Sequence, residues 1–562
     1  MMDERIMEYL HSSKGKAALK KYCDVCNIKP QNLYVEESNY EMRYINEHIL
    51  INKCIRYFMQ FGFSRHMIFK NIPEIEAYYP FLLDYDYSDD YENAIEYNFA
   101  TYLRELNVEF YKKVNPRKYG EYYTSLDMIN VALPELEFDI EHRVIDPSCG
   151  SGFILYAYLM KLIEGEKKYC STEQIICSVK EQIYGFDVFP AAIVTTKFLL
   201  GYSLYEQLGI SEDVFSFKNI KVFNTLSSLK CKNKGKNKIP QFDLIIGNPP
   251  FFRVNPNGTD NICKCTQYGH HYSHSLFLHW SLQYLQKDGV LCLILPESML
   301  TGYYYQKVRS ELLDLASIKN IIISKEHEKM FDVQQDVMIL IAKNSERNKY
   351  YFTSSNENGK IVKKYKLPVS ICLNKNSVIP VIMNDYDMKV LESISKEKIV
   401  DNLHDFKVST GNFVWNQNKE KCFMRKGKKR VPLISGPSIV DGKVIIEHKR
   451  KNTFMYCEPE KEFYVLMKKV ILFRRMSPME NPKRFIGAIV DPDIIGSYVV
   501  ENHVNLIEGD ERKLTDLFKL MNSNDFNHIL KIFCRTNQVS VSDINIIFEI
   551  LYKIKEGGLI ER

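Results

Sequence analysis

A short strand-forming segment that runs into two consecutive prolines constrains this chain more than any other feature. Residues 242–247 form an apolar run typical of a buried strand, and Asn248, Pro249, Pro250 and Phe251 follow it. The prolines fix φ and cannot donate to a sheet, so the backbone must leave the sheet at Asn248. Open α/β sheets bind ligands at this carboxyl edge. The corner suits a planar base with an amino group, because Asn248 and a carbonyl accept its N–H bonds and Phe251 stacks on its ring.

A glycine turn lies upstream of this corner. Residues 142–155 predict a strand that ends at Asp146, a tight turn, and the start of an apolar helix. Gly150 and Gly152 let the backbone approach a ligand where a Cβ would clash. The next predicted strand also ends in an acid, Asp187, and an acid there commonly accepts hydrogen bonds from ribose hydroxyls. A glycine turn, a ribose acid and a base-holding corner in this order predict a nucleotide-type site.

This combination resembles the S-adenosylmethionine-dependent amino-methyltransferases of the adenine-specific DNA type. The chain is similar to the gamma-ordered group, in which the cofactor motifs precede the catalytic motif and a target-recognition domain follows. The resemblance runs from about residue 115 to the end, and residues 119–125 resemble the leading motif of the family. The cofactor-binding residues that the resemblance implies are Tyr123, Thr124, Asp146, Pro147, Ser148, Gly150, Gly152, Asp187, Val188 and Asn224.

Two positions depart from the family pattern. Ser125 follows Thr124 where the family usually has proline, which affects helix entry more than chemistry. Asn224 stands where the family often carries an aspartate that faces the adenine amine of the cofactor, and an amide oxygen accepts the same hydrogen bond. The Asn-Pro-Pro-Phe motif is intact, so the resemblance implies a catalytic set of Asn248, Pro249, Pro250 and Phe251.

The chemistry of such a corner follows from lone pairs. The exocyclic N6 of adenine is a poor nucleophile because its lone pair is delocalised into the ring. Hydrogen bonds to Asn248 Oδ1 and the Pro249 carbonyl favour a pyramidal nitrogen, which attacks the sulfonium methyl in line. No metal or covalent intermediate is required. Because a base inside a duplex cannot reach this corner, the reaction implies base extrusion.

Length and composition predict more than one domain. The chain has 562 residues, of which 45% are hydrophobic and 26% charged, an ordinary globular composition. We predict an α/β fold with a helical N-terminal region (residues 1–105), a doubly wound methyltransferase sheet (106–385) and a mixed α/β target-recognition domain (386–562). The N-terminal region carries an acidic stretch that does not favour DNA contact, and we interpret it as a helical cap or partner-docking module.

Basic clusters recur in the predicted recognition domain, although the net charge of the chain is only +5. The clusters interleave with aromatic residues, and three of them in one domain favour phosphate neutralisation over a merely solvated surface. The predicted DNA-binding residues are Arg425, Lys428, Lys429, Arg430, Lys449, Arg450, Arg474 and Arg475.

Cysteine and histidine residues give no common metal signature. Cys263, Cys265, His270, His271 and His274 occupy a polar loop after the corner, but their spacing matches no common zinc finger, so no metal is predicted. The loop is a candidate for DNA contact and closure. Fourteen cysteines without regular spacing, no secretory pattern and no membrane-spanning apolar run predict free thiols in a bacterial or archaeal cytoplasm.

Rival functions stay open from the sequence alone. The leading hypothesis is methyl transfer to adenine N6 in duplex DNA, either in a restriction-modification system with a separate endonuclease or by a solitary enzyme. RNA bases and protein glutamine amides also present planar amino groups, but enzymes acting on them usually lack a large basic C-terminal domain. Families that methylate cytosine N4 mostly carry Ser or Asp in place of Asn248. The intact motifs argue against a non-catalytic DNA specificity subunit.

Overall fold

Two structural units divide the chain. The computed structural model describes residues 2–26, 37–86, 98–114, 126–230, 239–254, 271–324, 337–357, 359–372, 374, 376–440, 442–447, 454–458, 465–478, 481–534 and 537–557. Unit 1 comprises Met1–Pro296, Glu311–Arg347 and Asn356–Ile361, and unit 2 comprises Glu297–Ser310, Asn348–Ser355 and Val362–Arg562.

Unit 1 begins with helices and continues with alternating strands and helices. Its helices are α1 (Met2–His11), α2 (Ser13–Val25), α3 (Glu37–Gln60), α4 (Arg65–Asn71), α5 (Pro73–Tyr78), α6 (Phe81–Asp84), α7 (Phe99–Lys113), α8 (Leu126–Ala132), α9 (Phe153–Glu166), α10 (Thr172–Gln182), α11 (Pro190–Leu208) and α12 (Ser273–Tyr284). Its strands are β1 (Val144–Asp146), β2 (Ile183–Asp187), β3 (Ile220–Val222), β4 (Phe242–Gly247), β5 (Leu285–Pro296), β6 (Ser317–Ser324) and β7 (Val337–Lys343). Helix α13 (Gln306–Leu315) and strands β8 (Tyr350–Glu357) and β9 (Lys360–Pro368) are divided between the units.

The seven strands of unit 1 form a mainly parallel sheet. Their order is β3-β2-β1-β4-β5-β7-β6, with parallel pairing from β3 to β5 and antiparallel pairing of β7 with both of its neighbours. Consecutive residues Leu244, Ile245 and Ile246 of β4 are all buried. Because neighbouring strand residues point to opposite faces, both faces of the sheet are covered. This architecture confirms the predicted α/β fold class.

Two helices, α9 and α10, connect β1 to β2. The predicted apolar helix after the glycine turn is confirmed as α9, and α10 follows it before β2 begins. Ser171 and Gln174 form a reciprocal capping box at the start of α10. The sequence pattern Ser-x-x-Gln carried this signal, since such a pair satisfies two backbone N–H groups at a helix N-terminus.

The N-terminal helices pack on the same helix that flanks the sheet. Phe58 of α3 stacks on Phe198 of α11 at 5.1 Å between ring centroids, and it meets Phe215 at 4.8 Å. Lys197 of α11 forms a largely buried ion pair with Glu74, with both carboxylate oxygens at 2.7 Å from Nζ. Apolar residues of the N-terminal helices and of α11 form one continuous core. Residues of the predicted N-terminal region therefore belong to unit 1.

Unit 2 holds small sheets and a group of helices. Its strands from residue 386 onward are β10 (Lys407–Thr410), β11 (Cys422–Phe423), β12 (Val431–Ile434), β13 (Ile439–Val440), β14 (Lys443–Val444), β15 (Tyr456–Cys457), β16 (Val465–Leu466), β17 (Val470–Arg474), β18 (Gly487–Val490), β19 (Tyr498–Val500) and β20 (Val504–Glu508). Its helices from Asp385 onward are α14 (Asp385–Ser395), α15 (Pro492–Ile495), α16 (Glu511–Asn522), α17 (Asn524–Phe533) and α18 (Val541–Gly557).

Among the described residues from 386 onward, the strands of unit 2 pair into three sheets. Their orders are β10-β20-β17-β18, β11-β15-β12-β19-β16 and β13-β14. The mixed α/β character predicted for the C-terminal region is confirmed. Across the described parts of both units, none of the helices has the length and apolar content that a membrane span requires.

Candidate active site

The turn after β1 brings a tightly packed backbone to the carboxyl edge of the sheet. Gly150 and Gly152 have positive φ values of 51° and 86°. A Cβ on Gly152 would lie 2.9 Å from the side chain of Thr196, and Thr196 Oγ1 donates a hydrogen bond to Gly150 O at 2.8 Å. Glycine is therefore required at position 152 by packing as well as by φ. Helix α11, through Thr196, holds the turn in place.

Asp187, the predicted ribose acceptor at the end of β2, also organises this turn. Its Oδ2 accepts a hydrogen bond from Gly150 N at 3.0 Å, and its Oδ1 accepts one from Phe189 N at 2.9 Å. Val188 lies between Asp187 and Phe189 and packs against the core shared with the N-terminal helices. The carboxylate is thus fixed relative to the glycine turn by two backbone bonds.

Asp146, at the end of β1, is a buried carboxyl group with one unused oxygen. The residue is 1% exposed, and its Oδ1 accepts a hydrogen bond from Ser148 N at 2.9 Å. Its Oδ2 has no hydrogen-bond partner among the residues that the structure describes. Burial, together with a smaller contribution from the nearby charge of Asp187, raises the pKa of Asp146 to about 8. A buried acceptor without a partner costs free energy, which a bound cation or N–H donor would recover.

The backbone of β4 passes directly over Asp146. A Cβ on Gly247 would lie 2.8 Å from Asp146 Oδ1, so only glycine permits this approach. Gly247 immediately precedes Asn248, and β4 pairs in parallel with β1. The glycine turn and the Asn-Pro-Pro-Phe corner therefore lie side by side at one sheet edge, as predicted for strands that run parallel.

The segment after β3 contacts the glycine turn. Thr225 is buried, and its Oγ1 donates a hydrogen bond to Pro147 O at 2.6 Å. Asn224 Oδ1 accepts a hydrogen bond from Ser227 N at 3.3 Å, which caps the short helical turn Thr225–Lys230. The role of Asn224 in binding the adenine amine stays a prediction, and the structure adds a capping role.

One serine fixes the Asn-Pro-Pro-Phe corner. Ser273, buried at the start of α12, donates a hydrogen bond from Oγ to Pro250 O and accepts one from Phe252 N at 3.1 Å. Its own N–H donates to Phe252 O at 2.9 Å. On the other side, Ser148 Oγ approaches the backbone oxygen of Asn248 at 3.5 Å. These contacts hold the half-buried Asn248 where the chain leaves β4.

Phe251 lies against a buried histidine in a T-shaped ring contact. The rings of Phe251 and His274 lie 5.4 Å apart at an interplanar angle of 83°. His274 is 1% exposed, and burial lowers its pKa to about 3, so the imidazole is neutral at ordinary pH. A T-shaped contact of this kind restricts rotation of the Phe251 ring. A histidine considered as a zinc ligand is therefore packed against the aromatic residue of the catalytic motif.

Several predicted site residues lie outside the described residues. They are Tyr123, Thr124, Lys449 and Arg450, together with Cys263, Cys265 and His270 of the polar loop. Within the described part of the chain, no group of three or more His, Cys, Asp or Glu side chains is arranged to hold a metal ion.

Of the predicted DNA-binding residues that the structure describes, three are exposed and three are arginines with contacts inside the fold. Arg425, Lys428 and Lys429 are exposed in the turn between β11 and β12. Arg430 instead stacks on Phe423, with 3.5 Å from Cζ to the ring centroid, and pairs with Glu458. Of the other two, Arg474 Nη2 donates to Ile439 O at 2.7 Å and Arg475 Nε donates to Gln538 Oε1 at 3.3 Å.

Sequence reasoning missed three residues that shape the site. Ser273 and His274 fall in the predicted polar loop, and their side chains contact the corner at residues 250–252 instead of capping α12. Asn107 of α7 accepts a hydrogen bond from Ser151 Oγ at 3.1 Å, which connects an N-terminal helix to the glycine turn. No local pattern identifies Asn107, because its partner lies 44 positions away.

The sequence of this chain is similar to those of known methylases. Residues 181–331 match the family model of the Eco57I restriction-modification methylase. The chain is 20% identical over 428 residues to the Type II methyltransferase M.PstI of Providencia stuartii, covering 72% of this chain and 81% of that protein. It is 26% identical over 205 residues to the Type II methyltransferase M.AccI of Acinetobacter calcoaceticus, covering 34% of this chain and 36% of that protein.

Two solved restriction-modification enzymes share the fold. The ATP-dependent Type ISP enzyme LlaBIII bound to DNA aligns with a TM-score of 0.52 and 12% identity, over 90% of this chain and 42% of that chain. A nuclease-deletion mutant of the Type ISP enzyme LlaGI, in complex with a DNA substrate mimic, aligns with a TM-score of 0.51 and 12% identity, over 90% of this chain and 52% of that chain. This chain thus spans about half of each solved chain. Together the sequence matches support a methyltransferase of the restriction-modification type.

Proposed function

We propose that this protein transfers a methyl group from S-adenosylmethionine to N6 of an adenine that is extruded from duplex DNA. The observation that carries the proposal is the placement of Asn248 beside the glycine turn, with Gly247 packed on Asp146. A base-holding corner and a cofactor-type turn at one sheet edge are what a transfer between two bound molecules requires. The matches to Type II methyltransferases support the same reaction class.

The residues present fit S-adenosylmethionine. The turn at Gly150 and Gly152 would let a ligand approach the backbone, Asp187, fixed by Gly150 N, would accept hydrogen bonds from ribose hydroxyls, and the unpartnered Oδ2 of Asp146 suits an ammonium group. Thr124, outside the described residues, is the further contact that the family resemblance implies. When bound, the cofactor would supply an electrophilic methyl group on a sulfonium centre.

The corner supplies the acceptors that the reaction needs. An adenine amino group donates two hydrogen bonds through its N–H groups. Asn248 Oδ1 and the Pro249 carbonyl oxygen would accept them. Accepting both bonds favours a pyramidal nitrogen and stabilises the positive charge that develops on it. Ser273 fixes the backbone at Pro250, so the acceptors are organised before the base arrives. The proton of the methylated nitrogen leaves to solvent after transfer.

Phe251 would stack on the extruded base. Its ring is half-buried and fixed by His274. Aromatic stacking contributes roughly 1–3 kcal/mol per base, which offsets a large part of the few kcal/mol needed to unstack it. The proposed partners are therefore duplex DNA and, if the protein serves a restriction system, a separate endonuclease.

Product identification tests the proposed function. The protein is incubated with tritiated S-adenosylmethionine and, separately, with duplex DNA, RNA or protein, and the labelled products are digested and separated. Label in N6-methyladenine from duplex DNA is the expected result. Label in N4-methylcytosine, an RNA base or a glutamine amide would replace the proposed substrate, and cofactor binding without transfer to any of them would favour a DNA specificity subunit.

Lys428 and Lys429, which are exposed in the predicted target-recognition domain, should contact DNA phosphates. Each neutralised phosphate contributes about −0.9 to the slope of log affinity against log salt. Replacing Lys428 and Lys429 with alanine is expected to reduce this slope by up to about 2 and to weaken binding to all DNA sequences alike. Fluorescence anisotropy over a salt series measures the slope.

A matched pair controls for net charge. Lys167 and Lys168 are also adjacent and exposed, in unit 1, so their double alanine variant removes the same charge from a different surface. Its slope is expected to match the unmodified protein. Equal reductions in both double variants would show that Lys428 and Lys429 act only through the total charge.

A further inference from the structure

Asn107 is a buried amide with one donor that lacks a partner. The residue lies on α7 and is 2% exposed. Its Oδ1 accepts a hydrogen bond from Ser151 Oγ at 3.1 Å, inside the glycine turn. Its Nδ2 is buried and has no hydrogen-bond partner among the described residues. Buried N–H groups are almost always paired in folded proteins, so this donor marks a place where an acceptor binds.

The unpartnered donor has an unpartnered acceptor as its counterpart. Asp146 Oδ2 stands at the start of the glycine turn, and Asn107 contacts Ser151 near its end. One buried carboxyl oxygen and one buried amide N–H₂ at the two ends of a turn complement a ligand with one cationic and one anionic group. An α-amino acid has this pair of groups on a single carbon atom.

We propose that Asn107 binds the carboxylate of the α-amino acid end of the cofactor, while Asp146 binds its ammonium group. The inference rests on the proposed function, which supplies S-adenosylmethionine as the ligand. Asn107 donates without bringing a second buried charge, and its bond from Ser151 fixes the amide orientation. An N-terminal helix thereby contributes a cofactor-binding residue to the sheet.

Three ligands separate this role from a general effect on the turn. S-adenosylhomocysteine carries the whole α-amino acid, its decarboxylated analogue S-adenosyl-3-thiopropylamine retains only the amine, and 5′-methylthioadenosine lacks both groups. Isothermal titration calorimetry gives the affinity of each for the unmodified protein and for Asn107→Leu. The unmodified protein should prefer S-adenosylhomocysteine over the decarboxylated analogue by about tenfold or more, as for a hydrogen bond to a charged group.

Asn107→Leu is expected to abolish that preference while affinity for the other two ligands stays within about twofold. Asn107→Asp should weaken S-adenosylhomocysteine further, because a carboxylate replaces the donor and repels the anion. Ser151→Ala is the matched comparison: it removes the Ser151–Asn107 bond that orients the amide but keeps the donor, so it should reduce the preference without abolishing it. Thermal melts establish that each variant is folded. If Asn107→Leu does not fold, the affinities of Asn107→Asp test the role of Asn107 instead.

The outcomes distinguish the two proposals. If the unmodified protein binds none of the three ligands, the proposed function fails and the inference fails with it. If it binds S-adenosylhomocysteine but Asn107→Leu retains the preference, or weakens all three ligands equally, the proposed function stands and only the role of Asn107 is overturned.

Discussion

Asn248→Ala is expected to lower the rate of methyl transfer by about 100- to 1,000-fold, the usual loss when one preorganised hydrogen-bonding group is removed from a transition state. The variant leaves only the Pro249 carbonyl to accept from the adenine amine, so the nitrogen lone pair stays delocalised in the ring. Single-turnover transfer of tritiated methyl to duplex DNA measures the rate. The proposed cofactor contacts come from other residues, so affinity for S-adenosylhomocysteine is expected to stay unchanged.

Ser273→Ala provides the companion measurement. It removes the side chain that bonds Pro250 and Phe252 but leaves the Asn248 amide in place. We expect a smaller loss of rate, because the acceptor is present but less well fixed. The proposed role of Asn248 is wrong if Asn248→Ala retains more than about a tenth of the original rate, or if Ser273→Ala is the more damaging change.

Asp146→Asn should have opposite effects on stability and on cofactor binding. Burial raises the pKa of Asp146 to about 8, well above its value of about 3.9 in an unfolded chain. A group with this shift stabilises the protein fully only below pH 4, and that contribution is lost as the pH rises towards 8. The asparagine side chain does not ionise, so the variant does not lose stability in this way as the pH rises. Without cofactor, it should therefore be more stable than the unmodified protein at pH 8, by on the order of 3 kcal/mol, with little difference at pH 4.

The same carboxyl group should couple cofactor binding to pH. An ammonium group binds the ionised form, so binding at pH 7 is expected to release close to one proton, and affinity should rise with pH up to about 8. Calorimetry in buffers of different ionisation enthalpy measures the proton release. In Asp146→Asn the release should vanish, and affinity for S-adenosylhomocysteine should fall about tenfold or more. A variant that is destabilised at pH 8, or that still releases the proton, would contradict this assignment.

The site edge of the sheet was predictable because its signals are local. Glycine pairs, strand-terminal acids and a double proline each constrain the backbone within a few residues, and β1, β2 and β4 end where these signals stand. Contacts that fix the site were not predictable in the same way. The bonds from Thr196 to Gly150 and from Ser273 to Pro250 join segments that are distant in sequence, so no spacing rule reveals them.

Charge clusters were the least informative part of the sequence. The pattern of basic residues predicts a phosphate-binding surface but does not distinguish a solvated lysine from an arginine that completes the fold. The guanidinium of Arg430 stacks on Phe423 and pairs with Glu458, whereas Lys428 and Lys429 are exposed. Arginine forms stacked and planar hydrogen-bonded contacts more readily than lysine, which accounts for this division.

The N-terminal region shows what composition leaves out about organisation. Its interpretation as a helical cap or partner-docking module stays a prediction, and the structure adds that its helices share a core with α11 and contact the glycine turn through Asn107. The predicted boundaries at residues 105 and 385 stay predictions. Phe58 packs against Phe198 and Phe215, which are distant from it in the sequence. Local sequence patterns therefore do not predict this contact.

That shared core has a practical consequence for anyone who dissects the enzyme. A fragment that starts after α7 would expose the aromatic face of α11, including Phe198. It would also lack Glu74, the ion-pair partner of the buried Lys197. Large uncovered apolar faces promote aggregation. Truncated, split or chimeric versions of the protein should therefore keep α1–α7 together with the rest of unit 1.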